Sequence, residues 1–205
     1  MANKKLIGLL GSGTAAALLL VLTPNMEGSY KTGYLDPLGI PTKCTGDTRN
    51  VVVGKRYSAA ECRASLEAQL VDHAGPVLAL TPTLRQQPWA LAALVDFAQN
   101  AGVGAYEKHD AARYVAAGQW QKACRALMWS DAGKRTYITG RDRRTGQRVY
   151  LRGLDTRRQV ERLICEHDVG SIEPWKPSDA ALAAYRQLLS GVRLDGASGD
   201  YVVAE

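Results

Sequence analysis

Residues 6–22, LIGLLGSGTAAALLLVL, form an apolar run of 17 with no charged side chain. As a helix it would reach roughly 26 Å, a little short of a bilayer core about 30 Å thick. Beyond it the pattern turns to helical spacing. Ser58 with Glu61 makes a capping box, and Cys62, Leu66 and Leu70 recur every four positions, predicting a helix over 59–73. Residues 81–87 read as a turn. Pro88 then suits the first position of a helix whose Trp89, Ala92, Leu94, Val95 and Ala98 share a core face and which Asn100 and Gly102 close. Two short helices are expected over 109–117 and 119–130. Trp120, Ala123, Cys124, Leu127 and Met128 make an apolar stripe on the second, so Trp120 and Trp129 read as core rather than as sugar-stacking platforms. A helix carrying Val160, Leu163 and Ile164 inward follows, and Ser178 caps one more that runs to Leu189. Strand signals are sparse: Val51, Val52 and Val53 before Gly54, and a hairpin of 137–139 with 149–151 around an Arg-rich turn. The last 14 residues, polar and glycine-containing, predict a loose tail.

Composition refines this picture only in places. With 205 residues, 46% of them hydrophobic, the chain can bury a real core and fits one domain with appendages. The net charge of +6 favours an anionic partner such as a wall polymer, a lipid surface or nucleic acid. Ten Lys or Arg against three acids (Asp142, Asp155, Glu161) in residues 134–162 give +7, the whole excess. That run reads either as a solvated face or as a grip on an anionic wall or membrane. Without regular aromatic interleaving it does not read as a nucleic-acid site.

Lys4 and Lys5 precede the apolar run and no cation follows until Lys31, which places the N-terminus in the cytoplasm and the remainder outside. The run admits three roles. As a cleaved signal it has its small residues, Ala15, Ala16 and Ala17, only halfway along. As a permanent anchor it is short and spends seven positions on Gly, Ala and Ser. As an uncleaved anchor that later leaves the bilayer, marginal hydrophobicity is what it needs, and this third role is preferred. Cys44, Cys62, Cys124 and Cys165 suit export to an oxidising space, with three pairings open and four reduced thiols as the alternative. No C-x2-C spacing occurs and His73, His109 and His167 are scattered, which argues against a zinc site, and no cofactor is expected.

The chemistry concentrates in residues 27–48, EGSYKTGYLDPLGIPTKCTGDT. Glu27 and Asp36 stand nine apart with Gly28, Gly33, Pro37, Gly39 and Pro41 between or just beyond them, so the backbone folds back and can oppose the two acids. Opposed carboxylates suit glycoside hydrolysis, one protonated to donate to the leaving oxygen and one ionised. Taken alone, such a pair is common in solvated loops.

The order Glu27, Gly28, Tyr34, Asp36, Gly39, Thr42 resembles the phage-type lysozymes of glycoside hydrolase family 24. Lys43, Cys44, Thr45 and Gly46 depart from the usual continuation and are similar instead to the signal-anchor-release endolysins. Gly153, Leu154, Arg157, Arg158, Glu161 and Cys165 resemble the closing motif, and Gln99, Asn100, Gly102 and Gly104 resemble a family helix end. The resemblance implies a mostly α, lysozyme-like α+β fold with a small β-containing N-terminal lobe, a helical C-terminal lobe and a helix between them. It implies Glu27 as general acid, Asp36 as the carboxylate that positions or activates water, and Thr42 as a water-holding hydroxyl. It also implies disulfides Cys44 to Cys62 and Cys124 to Cys165.

The expected organisation is thus a releasable anchor over 1–23, a catalytic domain over 24–168 and an extension over 169–205 with one helix and a loose tail. The implied activity is that of an endolysin, a muramidase cleaving the N-acetylmuramic acid to N-acetylglucosamine bond of peptidoglycan for host lysis by a phage. The chain would act as a monomer, first on the periplasmic face of the host inner membrane through residues 6–22 and then free in the periplasm. The alternatives are a catalytically silent, membrane-tethered wall-binding protein of the same fold and another amino-sugar glycosidase.

Overall fold

The computed structural model describes residues 4–36, 39–141 and 145–204. The apolar run does not stand apart from the fold. It forms helices α1 (Lys4–Leu10) and α2 (Gly13–Glu27), bent by 115° at the break between them. Gly11 makes the turn with φ of +70°, a conformation that side chains resist, and Ser12 restarts the helix by accepting a hydrogen bond from the Ala15 N–H. Leu6, Leu10, Leu18, Leu19 and Leu22 are fully buried. They share one core with Leu91, Leu94 and Phe97 of α4 (Pro88–Ala101), and the small Ala15, Ala16 and Ala17 are buried with them. No single helix among the described residues is long and apolar enough to cross a membrane; α1 and α2 qualify only as a bent pair.

After α2 the chain makes a two-stranded antiparallel sheet of β1 (Tyr30–Leu35) and β2 (Pro41–Cys44), with Tyr34 opposite Thr42. The short strand expected at 51–53 is absent: Val52 and Val53 are exposed in a turn. The backbone that joins β1 instead is three residues further on, where Lys55 O accepts from Gly33 N, Thr32 bridges Arg56 and Tyr57 N donates to Lys31 O. Gly33 is needed there, since an added Cβ would lie 2.3 Å from the Val52 carbonyl oxygen.

The capping box forms at Ser58 and Glu61, but the helix it opens, α3 (Ala59–Leu80), outruns the expected end at 73. Pro76 lies inside it, and it stops where Thr81 caps the Val77 carbonyl and meets the Tyr106 hydroxyl. At 22 residues α3 connects the small sheet to the helical lobe. A 3-10 turn (Pro82–Gln86) leads to α4, as the turn and Pro88 suggested. The helices α5 (Val103–Glu107), α6 (Asp110–Ala116) and α7 (Trp120–Ala126) follow; α5 had no sequence signal and α7 is shorter than its stripe. Trp120 packs partly buried against the core, and Trp129 carries the Arg135 guanidinium over its ring. The exposed hairpin of β3 (Thr139–Arg141) and β4 (Arg148–Tyr150) stands where one was expected, and residues 142–144 of its turn lie outside the described residues.

Helix α8 (Arg152–Val169) packs across α4 and changes the meaning of the basic run. Three of its ten cations, Arg157, Arg158 and Arg162, are buried and ion-paired rather than solvated, and the partly exposed Arg135 pairs with Asp155. The extension forms α9 (Asp179–Ser190) and then, in place of a loose tail, the antiparallel hairpin of β5 (Val192–Leu194) and β6 (Tyr201–Val203). Disulfides join Cys44 to Cys62 and Cys124 to Cys165.

Candidate active site

Glu27 is the last residue of α2, and Gly28 beyond it takes φ of +76°, which ends the helix and turns the chain into β1. The side chain is 30% exposed. One of its oxygens accepts a hydrogen bond from Nη1 of Arg157 on α8. Its other oxygen faces Gly46, where an added Cβ would stand 3.9 Å away in a backbone with φ of +71°. A residue larger than glycine at that position would be strained by its backbone conformation.

Arg157 is held from the other side by Asp96 of α4, with Nε and Nη2 each 3.0 Å from a carboxylate oxygen, and Nη2 also donates to Gln99 Oε1 at 3.2 Å. Asp96 in turn accepts from the Thr23 hydroxyl at 3.0 Å, one turn of α2 before Glu27. The last turn of α2 is therefore fixed at two points by a single buried Asp–Arg pair. Glu161, fully buried, lies 3.3 Å from Arg157 Nε and 2.5 Å from Arg158 Nη2, and Asn100 accepts from Arg158 at 3.0 Å. Burial opposes the charge on Arg157, yet Asp96, Glu161 and Glu27 hold it above the ordinary guanidinium range. For the deeper pair burial wins on both sides, pushing Glu161 up and Arg158 down despite their contact. Gln99 and Asn100 thus serve as seats for the two arginines, while the helix end itself is closed by Gly102 at φ of +96°.

Asp36 stands at the end of β1. Its backbone pairs with Ile40, and its Oδ1 accepts from the Ile40 N–H at 2.8 Å, which orients the carboxylate in the tight connection to β2. Thr42 is buried on β2 and donates to the Ile40 carbonyl at 3.0 Å, so its lone pairs remain to accept from a water. Tyr34 stands opposite Thr42; burial raises its phenol pKa, and Tyr30, Asp36 and Glu27 raise it further.

The loop that follows is stiffened from α3. The Cys44–Cys62 disulfide ties it at one end; Ser65 Oγ donates to Asp47 Oδ2 at 2.5 Å, and Lys43 and Arg49 flank the same carboxylate. Although burial opposes it, these partners hold Asp47 below its ordinary value. Gly46 is carried by this loop.

Glu27, Asp36 and Thr42, singled out from sequence, are gathered around the β1–β2 sheet. Asp96 was missed as a functional residue, although an acid in the otherwise apolar ALAALVDFA of α4 is itself a signal for a buried charge needing a partner. Arg157 was visible only as part of a closing motif. Its partner Glu27 is 130 positions away, beyond any spacing rule.

A family model described as phage lysozyme matches residues 24–161. The SAR-endolysin of Bacteriophage PS119 is 29% identical over 171 residues, covering 80% of this chain and 92% of that protein. The SAR-endolysin of Enterobacteria phage P21 is 29% identical over 166 residues, covering 76% and 88%. Among solved structures, the active form of P1 phage endolysin Lyz is similar with a TM-score of 0.63 at 22% identity, over 82% of this chain and 95% of that one. The muramidase domain of SpmX from Asticaccaulis excentricus has a TM-score of 0.60 at 24% identity, over 76% and 95%. The matched stretch runs from the last turn of α2 through Glu161 of α8, taking in Gly46, Asp96 and Arg157 around Glu27, and the chain belongs to the phage lysozyme family.

Proposed function

We propose that the chain is an endolysin, a muramidase that hydrolyses the β-1,4 bond between N-acetylmuramic acid and N-acetylglucosamine in peptidoglycan. Glu27 donates a proton to the glycosidic oxygen, Asp36 as the carboxylate supports the developing positive charge or activates water, and the Thr42 hydroxyl holds that water. The observation that supports this assignment is the meeting of the α2 end with the loop that follows β2, where a Glu27 oxygen faces Gly46. Glu27 ends α2, Asp36 follows β1, and Thr42 lies on β2, the strand paired with β1.

Residues 6–22 serve first as an anchor in the host inner membrane, with the N-terminus cytoplasmic, and then leave the bilayer to become α1 and the body of α2. Two observations support this reading. The segment is a broken, marginally apolar pair of helices, and relatives of this chain carry the name SAR-endolysin. While the segment is inserted, Glu27 lies only five residues beyond Leu22, roughly 8 to 18 Å away between helical and extended limits. Thr23 and Glu27 then cannot meet Asp96 and Arg157, so the acid is not yet positioned. Once released, the enzyme works as a monomer in the periplasm.

Purified peptidoglycan incubated with the soluble protein should release fragments with new reducing ends, and Glu27→Gln should abolish this while remaining folded. A wall-binding protein without activity would bind the same glycan and release nothing.

A further inference from the structure

The two segments outside the stretch matched by the family model, 1–23 and 162–205, meet each other along most of α2. At the N-terminal end, Asp200 accepts from the Thr14 hydroxyl at 2.9 Å and from the Thr14 N–H at 3.3 Å, while the Tyr201 N–H donates to Thr14 Oγ1 at 3.0 Å. The carboxylate thus satisfies a free N–H of the first turn and lies at the positive end of the helix. Halfway along, Gly191 receives Val21 so closely that a Cβ there would stand 2.6 Å from Val21 Cγ1. Val203 of β6 lines a cleft together with Leu20 and Pro24, and near the end of the helix Gln187 donates to Asn25 Oδ1 at 3.4 Å.

The extension also has its own hold on the rest of the molecule. His167 of α8 bonds the Tyr185 hydroxyl of α9 at 2.9 Å and stacks on Trp89, whose ring meets Tyr201 edge-on. The Ser178 N–H donates to Gln159 Oε1 at 2.8 Å, and Ala181 and Leu188 are fully buried. The hydrogen bonds of His167 with Tyr185 and of Ser178 with Gln159, and the ring contacts of Trp89 with His167 and Tyr201, do not involve α2, so they are open to the extension before α2 arrives.

We propose that α9 and the β5–β6 hairpin form a docking site for residues 13–25 of the chain itself, a latch that captures α2 after it leaves the bilayer and holds Glu27 in register. The proposal rests on the reading of residues 6–22 as a releasable anchor. Its physical basis is a difference between two states. Inserted in lipid, Thr14 can bond only its own helix, whereas in the docked state it gains a charged acceptor and a backbone donor. Contacts made only in the docked state shift the equilibrium toward release.

The test uses the full chain exported in a Gram-negative host, with the ratio of released to membrane-held protein measured by fractionation. Asp200→Ala should lower that ratio on the order of tenfold, the range for a hydrogen bond to a charged group. Gly191→Ala should lower it as well through its clash with Val21. Adding Val21→Ala to Gly191→Ala should bring the ratio back to that of Val21→Ala alone, which a general folding defect would not do. Release of both Asp200→Ala and Gly191→Ala at the parent level overturns the latch. If the parent chain is never found in the membrane, the anchor reading fails first and the latch falls with it.

Discussion

Arg157 binds Glu27 through one guanidinium nitrogen while its remaining nitrogens grip Asp96, so the general-acid candidate is seated by a residue 130 positions away. The Arg157 side chain is 4% exposed and faces three carboxylates, which makes it the hinge between the fold's stability and its chemistry. Replacing it leaves buried Asp96 without its cation and takes one of two cations from Glu161. Arg157→Met should destabilise the protein by about 3 to 5 kcal/mol. In a chain of this size that is a fall in Tm on the order of 10 °C. Activity should fall further than the remaining folded fraction accounts for. Thermal melts beside activity at a temperature where the variant is folded check both parts.

His109 gives the fold an acid limit. It is buried between Phe97 and Tyr137; its Nδ1 accepts from the Ala111 N–H and its Nε2 has no hydrogen-bond partner among the described residues. Burial lowers its pKa to about 4, Asp110 acting against this and Arg158 with it. The folded value lies below the unfolded one, so the unfolded chain takes up the proton first. Stability is full above about 6.5 and is lost as pH falls toward 4, by roughly 3 kcal/mol at about 1.4 per unit. Tm measured from pH 7 to 4 should fall in the parent and fall less in His109→Phe.

The two disulfides should act on different properties. Cys124–Cys165 joins α7 to α8 across 41 positions, far from Glu27 in the chain, whereas Cys44–Cys62 pins the loop that carries Gly46 beside the acid. Replacing Cys124 and Cys165 by Ala should cost about 2 to 5 kcal/mol and leave kcat/KM unchanged at a temperature where the protein is folded. Replacing Cys44 and Cys62 should lower kcat/KM several-fold even there. Melting curves and initial rates on the same samples separate the two effects.

Gly8 allows the anchor to be strengthened without touching the enzyme. It is exposed on α1, and an added Cβ would meet nothing within 4 Å. Gly11 and Gly13 are less suitable, the first because of its φ of +70° and the second because a side chain would meet Asp200 at 3.0 Å. Gly8→Leu should raise the membrane-held share on the order of threefold, given about 0.6 kcal/mol for a leucine in the bilayer. The specific activity of the released protein should match the parent. Fractionation followed by assay of the soluble pool measures both.

What could be read from sequence was what depends on neighbours in the chain. The Ser58–Glu61 box, Pro88 at a helix start and the Ser178 cap are local chemistry, and each stands where it was expected in the fold. Errors arose where tertiary contacts override local pattern. Three consecutive valines have a strand's composition, yet the turn at Gly54 places Lys55 and not Val52 opposite Gly33 in the ladder. The tail carries no local pattern that marks it as ordered, since Tyr201 is held by Thr14 and Trp89, 187 and 112 positions earlier. The apolar run carried a real ambiguity, since the pattern that suits a bilayer also suits a protein core.

The most direct test of the central claim is the yield of new reducing ends from purified peptidoglycan for the soluble parent and for Glu27→Gln at equal folded concentration. The account predicts cleavage by the parent and a loss of about 10²- to 10⁴-fold in the variant, with Tm close to the parent's. Cleavage by Glu27→Gln at the parent's rate would contradict it.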